Sequence, residues 1–66
     1  MKKILGEQRR IMLLAHLKAA STPITGTALA KLANVSRQVV VNDMTLLKAR
    51  NEPIVATSQG YVYLQT

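Results

Sequence analysis

The sequence predicts a mainly α-helical fold in which three helices are followed by a small β-hairpin. Apolar residues recur at helical spacing in three segments between residues 7 and 50. Beyond Pro53 the pattern changes to two short runs rich in β-branched and aromatic residues around a turn that contains glycine. A chain of 66 residues has room for one small core, so we expect a single domain over residues 1–66.

The first predicted helix runs from Glu7 to Ala20. Its segment contains neither glycine nor proline, and Leu13, Leu14, Leu17 and Ala20 recur at helical spacing. The Ser-Thr-Pro sequence that follows ends the helix, because a residue before proline is disfavoured in the helical conformation. A short extended step at residue 24 then leads to the second helix.

Thr25 can cap a second helix that begins at about Gly26 or Thr27 and ends at Ala33. Small residues along this segment allow another helix to approach closely, as a tight helix-turn-helix corner requires. The residues expected to face inward are Leu29, Ala30 and Ala33.

The third helix is predicted to begin at the capping residue Ser36 and to run to about Arg50. Asn34 can take the left-handed conformation in the turn before it, with Val35 filling the corner. Asn51 can serve as a left-handed residue after the helix, and the proline two positions further prevents continuation.

From residue 54 to residue 64 the pattern predicts a hairpin, with its turn at Ser58-Gln59-Gly60. Tyr61 and Tyr63 share one strand face, and we expect them to pack the hairpin on the first or third helix rather than to stack on bases. Three helices and a hairpin, with a tight turn between the second and third helices, is the order of a winged helix-turn-helix domain.

Charge and composition restrict the possible functions. A net charge of +6 and a pI near 10.4 favour a polyanionic partner, and nucleic acid is the leading candidate. The absence of cysteine excludes disulfides, thiolate zinc sites and thiol redox chemistry. The longest apolar stretch, residues 11–15, is too short to cross a bilayer, so we expect a cytoplasmic protein without membrane contact.

An enzyme has almost no support in this sequence. Three acidic residues, one histidine and no cysteine leave no plausible acid-base pair or activated nucleophile. The three glycines form no phosphate-binding loop. His16 has no partner ligands at metal-binding spacing, so we expect no metal site and no cofactor.

The third helix divides into two faces. Val40, Met44 and Leu47 fall on one side, as expected for packing against a core. An arginine can donate a bidentate pair to guanine, Gln and Asn amides suit adenine, and Val or Thr methyl groups can contact the thymine methyl. An ordinary solvated face would be richer in Lys and Glu. The residues on the outer side are Arg37, Gln38, Val41, Asn42 and Thr45.

This face predicts a recognition helix over residues 36–50 that lies in the major groove of DNA. The wing tip lacks a cation, so we expect phosphate or backbone contacts from it rather than a minor-groove arginine contact. Lys48 is expected to contact phosphate. The complete set of predicted DNA contacts is Thr25, Ser36, Arg37, Gln38, Val41, Asn42, Thr45, Lys48, Ser58 and Gln59.

Other charged residues leave alternatives open. Lys2 and Lys3, together with Arg9 and Arg10, either belong to a solvated amino terminus or lie along a phosphate backbone. Asp43 is unsuited to lie near phosphate and is expected to be structural. It would bond to a neighbouring helix or orient the arginine at position 37 or 50.

The residues also resemble a known family. The chain resembles the amino-terminal domain of bacterial niacin-responsive repressors, and more loosely that of biotin repressor and ligase proteins. The residues that carry the resemblance are Pro23-Ile24-Thr25-Gly26 and Asn34-Val35-Ser36-Arg37-Gln38-Val39-Val40-Val41-Asn42-Asp43, together with residues 9–17, 29–30, 53–54 and 60–61. Two positions depart from the family, with Asn51 where glycine is common and Ser58-Gln59 where a cation is common.

The resemblance implies that Ser36, Arg37, Gln38, Val41 and Asn42 lie at the DNA surface. It also implies a ligand-binding domain with metal-coordinating histidines after the wing, which we expect to be missing from this chain. The regulated pathway would be niacin or NAD synthesis.

Sequence-specific binding of double-stranded DNA by a bacterial transcriptional repressor is therefore the predicted function. One such domain reads a half-site, so we expect a homodimer on a two-fold related operator. Leu32, Leu46 and Val62 cannot all be buried in a small core and are candidates for contact with a partner chain or with a missing domain. The alternatives are the DNA-binding head of a biotin ligase and a winged helix that binds protein.

Overall fold

Three helices and one antiparallel hairpin make up the fold of the described residues, as predicted. The computed structural model describes residues 6–64. Both ends of α1 lie one residue earlier than predicted. The N–H of Ala20 still donates to the His16 carbonyl (3.0 Å) as the chain leaves the helix. The elements are α1 (Gly6–Ala19), α2 (Gly26–Ala33), α3 (Arg37–Ala49), β1 (Ile54–Thr57) and β2 (Gly60–Tyr63).

The apolar core lies where the three helices meet, and the start of the hairpin closes it. Each helix contributes residues at intervals of three or four, as one face of an amphipathic helix does. Fully burying one such side chain stabilises the fold by roughly 1.5–3 kcal/mol. The buried apolar residues are Leu13, Leu17, Leu29, Ala30, Ala33, Val40, Met44, Leu47 and Ile54.

The corner between α2 and α3 forms as its sequence predicts. The Thr25 hydroxyl accepts a hydrogen bond from the backbone N–H of Ala28 (3.1 Å), which caps α2. Asn34 takes the left-handed conformation (φ 56°, ψ 47°) and ends the helix. The next N–H, that of Val35, donates to the Ala30 carbonyl (3.0 Å), and the valine side chain packs half-buried against the core.

The ends of α3 are also fixed by local signals. The Ser36 hydroxyl accepts from the N–H of Val39 (3.3 Å), as an N-cap does. The helix ends at Ala49 rather than at Arg50, which is the capping residue. Asn51 then takes the predicted left-handed conformation (φ 69°) and turns the chain toward the hairpin.

Ile24 has a role that the sequence did not reveal. It was predicted only as an extended step, but it pairs with Tyr61 in a one-residue antiparallel bridge. The Ile24 N–H donates to the Tyr61 carbonyl (3.0 Å), and the Tyr61 N–H donates to the Ile24 carbonyl (2.7 Å). The strand β2 therefore pairs with β1 on one side and with the segment before α2 on the other.

The two tyrosines pack the hairpin onto the core, which confirms the predicted packing role. The Tyr63 hydroxyl donates to a Glu52 carboxylate oxygen (3.3 Å), and the Lys18 ammonium of α1 lies 5.2 Å from the centre of the Tyr63 ring. Among residues 6–64, no helix has the length and apolar character needed to cross a membrane.

Candidate nucleic-acid interface

The two predicted faces of α3 are present in the structure. Val40, Met44 and Leu47 are at most 3% exposed, whereas the opposite side faces solvent. Val41 is half-buried at the edge of the exposed face. The exposed members of the predicted set on this helix are Arg37, Gln38, Asn42, Thr45 and Lys48.

Hydrogen bonds within α3 determine what some of these side chains offer to a ligand. The Gln38 amide nitrogen Nε2 donates to Asn42 Oδ1 (3.3 Å), so these two amides form a pair one helical turn apart. The Thr45 hydroxyl donates to the backbone carbonyl of Val41 (3.0 Å). Its only proton is therefore used inside the helix, and its methyl group remains for apolar contact.

Arg37 lies beside the start of α2 and the wing. A Cβ atom added at Gly26 would lie 3.5 Å from Arg37 Nε and 3.6 Å from a ring carbon of Tyr61, so the missing side chain leaves room for both neighbours. The guanidinium lines an open groove between α2 and the hairpin. Sequence periodicity placed Arg37 on the outer face but did not reveal this groove.

The remaining predicted contacts lie at the helix starts or at the wing tip, and Thr25 and Ser58 also line the groove. Thr25 and Ser36 are exposed at the starts of their helices, where each hydroxyl accepts one backbone N–H and keeps its own proton to donate. Ser58 and Gln59 are exposed at the tip of the wing. The Thr57 hydroxyl shapes that tip, since it donates to the Gly60 carbonyl (2.8 Å) and accepts from the Gln59 N–H (3.1 Å).

Asp43 lies on the opposite side of α3 and is 1% exposed. Arg9 donates to both carboxylate oxygens, from Nε to Oδ2 (2.5 Å) and from a terminal nitrogen to Oδ1 (2.9 Å). Arg10 donates to Oδ1 as well (3.1 Å). The prediction that Asp43 is structural and bonds to a neighbouring helix is confirmed, but its partners belong to α1 and are neither Arg37 nor Arg50.

Neither interpretation of Arg9 and Arg10, as part of a solvated amino terminus or along a phosphate backbone, included this cluster with Asp43. Their side chains are only 16% and 15% exposed and are bound to Asp43, so they do not belong to a solvated terminus. The hydrogen bond with Asp43 raises the pKa of Arg9, and burial opposes that shift. Lys2 and Lys3, the other members of the predicted basic group, lie outside the described residues.

A second, exposed ion pair joins the start of α1 to the end of α3. Glu7 accepts hydrogen bonds from Arg50 (3.0 Å) and from Arg10 (3.3 Å), and a second Arg50 nitrogen lies 2.8 Å from its other carboxylate oxygen. The hydrogen bond from Arg50 is the main cause that lowers the Glu7 pKa. This pair therefore stabilises the folded state at pH values above the ordinary glutamate pKa. Its contribution is lost as the pH falls through the lowered pKa of Glu7. Exposed pairs contribute little to stability.

Several apolar side chains remain outside the core. Leu32 and Leu46 are 48% and 46% exposed, which confirms that the core does not bury them, whereas Val62 is half-buried and pairs with Val55 across the hairpin. Ile11 and Leu64 are also exposed and were not anticipated. Within the described part of the chain, no group of three His, Cys, Asp or Glu residues could hold a metal ion.

Comparison with known proteins identifies this arrangement. The chain is 61% identical over 62 residues to the transcription repressor NadR of Bacillus subtilis (strain 168), a match that covers 94% of this chain and 34% of NadR. It is 37% identical over 60 residues to the protein named probable transcription repressor NiaR of Thermotoga maritima, which covers 91% of this chain and 34% of NiaR. The chain thus spans about a third of the length of each relative.

Both relatives are named as transcription repressors, which confirms the predicted resemblance to a repressor family. A family model described as an HTH domain matches residues 9–62. That range includes α2, α3, the turn between them and most of the hairpin. The chain therefore belongs to this family of helix-turn-helix domains.

Proposed function

We propose that this domain binds double-stranded DNA sequence-specifically as the DNA-binding part of a cytoplasmic bacterial repressor. The observation that carries the proposal is the two-sided α3, whose inner face is almost completely buried while its outer face presents arginine, amide and methyl groups. The helix is long enough to follow the major groove, and the short α2 braces it across the corner. The similarity to two transcription repressors supports the same function.

Charge supports DNA as the partner. The chain carries nine Lys and Arg residues against three Asp and Glu residues, and phosphate neutralisation by such cations dominates the affinity of DNA-binding proteins. Lys48 is exposed in the last turn of α3, where it can reach a phosphate beside the groove. Hydrogen bonds to the phosphate backbone of DNA are proposed on either side of α3. The donors would be Thr25, Ser36, Ser58 and Gln59.

We further propose that the functional repressor is a dimer, because one domain of this size reads a half-site and a palindromic operator needs two. The exposed Leu32 and Leu46 are the candidate contacts with a partner chain or with a further domain. An effector-binding domain would then control DNA binding from another part of the whole repressor.

The proposal is tested by selecting bound duplexes from a random pool and measuring their affinity by fluorescence anisotropy across a salt series. We expect a defined motif, bound about 10³-fold or more above non-specific duplex. Against that motif, Arg37→Ala should lose about 1–3 kcal/mol of discrimination at one base pair. Lys48→Ala is the matched control, because it should weaken all sequences alike and lower the salt slope by about one.

Two outcomes would contradict this assignment. Recovery of no motif, with binding that disappears at moderate salt, would leave only charge attraction and favour a protein-binding role for the domain. If a motif is recovered but Arg37→Ala weakens every sequence equally, Arg37 binds phosphate in its groove beside α2 rather than a base.

Thr45 offers a test of methyl contact. Its hydroxyl is bonded within the helix, so only its methyl group is expected to contact the thymine methyl. Replacing the contacted thymine with uracil should weaken the wild type and Thr45→Val about fourfold, equivalent to about 0.8 kcal/mol for one buried methyl group. Thr45→Ser lacks the methyl and should bind both duplexes equally. If Thr45→Ser still distinguishes them, Val41 makes the contact.

A further inference from the structure

Gln38 and Asn42 are not equivalent, although both are exposed amides on the same face of α3. Their hydrogen bond has a direction, with Gln38 Nε2 as the donor and Asn42 Oδ1 as the acceptor (3.3 Å). Because the Asn42 oxygen is the end that faces Gln38, the Asn42 amide nitrogen is turned away from it. The bond therefore distinguishes the two ends of the Asn42 amide.

This distinction matters for reading a base. Adenine presents the N7 acceptor and the N6 amino donor in the major groove, so an amide must place its nitrogen toward N7 and its oxygen toward N6. The two ends of an asparagine amide have nearly the same shape, and rotation by half a turn exchanges a donor for an acceptor. An asparagine whose amide is free to rotate spends part of its time with the oxygen toward N7 and the nitrogen toward N6, an orientation that does not match adenine.

The remaining hydrogen-bonding capacity of Asn42 suits adenine. Its oxygen can accept two hydrogen bonds, so it can accept from Gln38 and from the adenine N6 amino group together. Both hydrogens of its nitrogen stay available, and one can donate to N7. Gln38 is one turn nearer the start of α3, where the Ser36 cap holds the backbone from which the Gln38 side chain extends to Asn42.

We propose, on the basis of the proposed DNA-binding function, that Asn42 reads one adenine and that Gln38 is a positioning residue that orients the Asn42 amide. In this arrangement Gln38 does not read a separate base. The competing arrangement, in which each amide reads its own adenine, makes a different prediction about which base pairs respond to each substitution.

A double-mutant cycle on the selected motif separates these arrangements. Each adenine is replaced in turn by 7-deazaadenine, which lacks the N7 acceptor, to find the base pair that Asn42 contacts. Asn42→Ala should lose about 5- to 150-fold discrimination at that base pair. Gln38→Met keeps the length of the side chain but cannot donate, and should lose about 2- to 10-fold at the same base pair. The double variant should match Asn42→Ala.

The proposal would be overturned if Asn42→Ala and Gln38→Met lost discrimination at two different base pairs and if the two fold-losses multiplied in the double variant. Gln8→Met is the matched control, because Gln8 is an exposed glutamine on α1 and its replacement should leave base discrimination unchanged. All substituted side chains are exposed, and circular dichroism checks that each variant folds. If the wild type selects no motif, the proposed function fails; if it selects a motif without adenine at a 7-deazaadenine-sensitive position, only this inference fails.

Gln38→Glu gives an independent test of the positioning role. A carboxylate can only accept, so it should attract the Asn42 nitrogen and turn the Asn42 oxygen toward the base. An outward acceptor suits the N4 amino group of cytosine. We therefore expect the adenine preference at this base pair to fall by about 2- to 10-fold. Because the new carboxylate can itself accept from N4, a gain for cytosine counts as support only if it disappears when Asn42→Ala is added. Retention of the full adenine preference in Gln38→Glu would overturn the role assigned to Gln38.

Discussion

Replacing Asp43 with alanine should destabilise the domain by about 2–4 kcal/mol. Removing one partner of a buried ion pair costs about 3–5 kcal/mol, because the remaining charge is left without compensation. Arg9 and Arg10 keep some contact with water, which reduces this cost. A domain of this length has a free energy of unfolding of only about 3–10 kcal/mol at typical values per residue. The substitution therefore removes a large part of the total, measurable as a lower urea midpoint by circular dichroism.

Glu7→Gln is the matched control for this prediction. It also removes one carboxylate that binds Arg10, but Glu7 and Arg50 are half-exposed and Arg10 keeps its bond to Asp43. We expect its urea midpoint to stay close to that of the wild type. If Asp43→Ala shifts the midpoint no more than Glu7→Gln does, the buried cluster does not hold α1 against α3.

Gly60→Ala should destabilise the fold by about 3–5 kcal/mol and loosen the wing. Gly60 has φ of 131°, and an added Cβ would lie 2.6 Å from the carbonyl carbon and oxygen of Ile24. Backbone strain of this kind costs about 1–3 kcal/mol. The clash also separates Ile24 from Tyr61, and each of their two hydrogen bonds contributes about 1 kcal/mol. Thermal unfolding measures the first effect, and faster amide hydrogen exchange at Ile24 and Tyr61 measures the second.

Gly26→Ala is the control for the glycine substitution. Gly26 begins α2, and an added Cβ would meet its neighbours only at 3.5 Å or more, an ordinary contact distance. Alanine is the better helix former, so this variant should be as stable as the wild type or more stable by up to about 1 kcal/mol. Normal exchange protection at Tyr61 in Gly60→Ala would show that the bridge tolerates a side chain and that the predicted clash is wrong.

The features that the sequence predicted well depend on short stretches of chain. Thr25 and Ser36 cap their helices, and Asn34 and Asn51 take left-handed conformations, because capping and turn formation involve residues within four positions of each other. The buried face of α3 follows from helical periodicity alone. The Gln38–Asn42 pair also follows a local rule, since residues four apart in a helix are neighbours, and it could have been predicted.

The features that the sequence did not predict join distant segments. Asp43 and its arginine partners are 33 and 34 residues apart, and Ile24 and Tyr61 are also far apart in the sequence. These contacts depend on how the helices and the hairpin pack together, which no local sequence pattern specifies. One signal was present for Asp43, because the spacing from Val40 to Asp43 to Leu47 places the carboxylate on the buried stripe of α3. The position of Arg37 beside Gly26 is likewise a product of tertiary packing.

The Ile24–Tyr61 bridge has a thermodynamic consequence for association. A two-stranded hairpin with strands of four residues is at best marginally stable by itself in water. The bridge adds the segment before α2 to the two strands of the hairpin, and Tyr61 and Tyr63 bury part of the hairpin surface against the core. The wing is thus ordered before binding, so the wing contacts proposed above would cost little conformational entropy. The heat capacity change of binding should then reflect the contact surface rather than coupled folding of the hairpin.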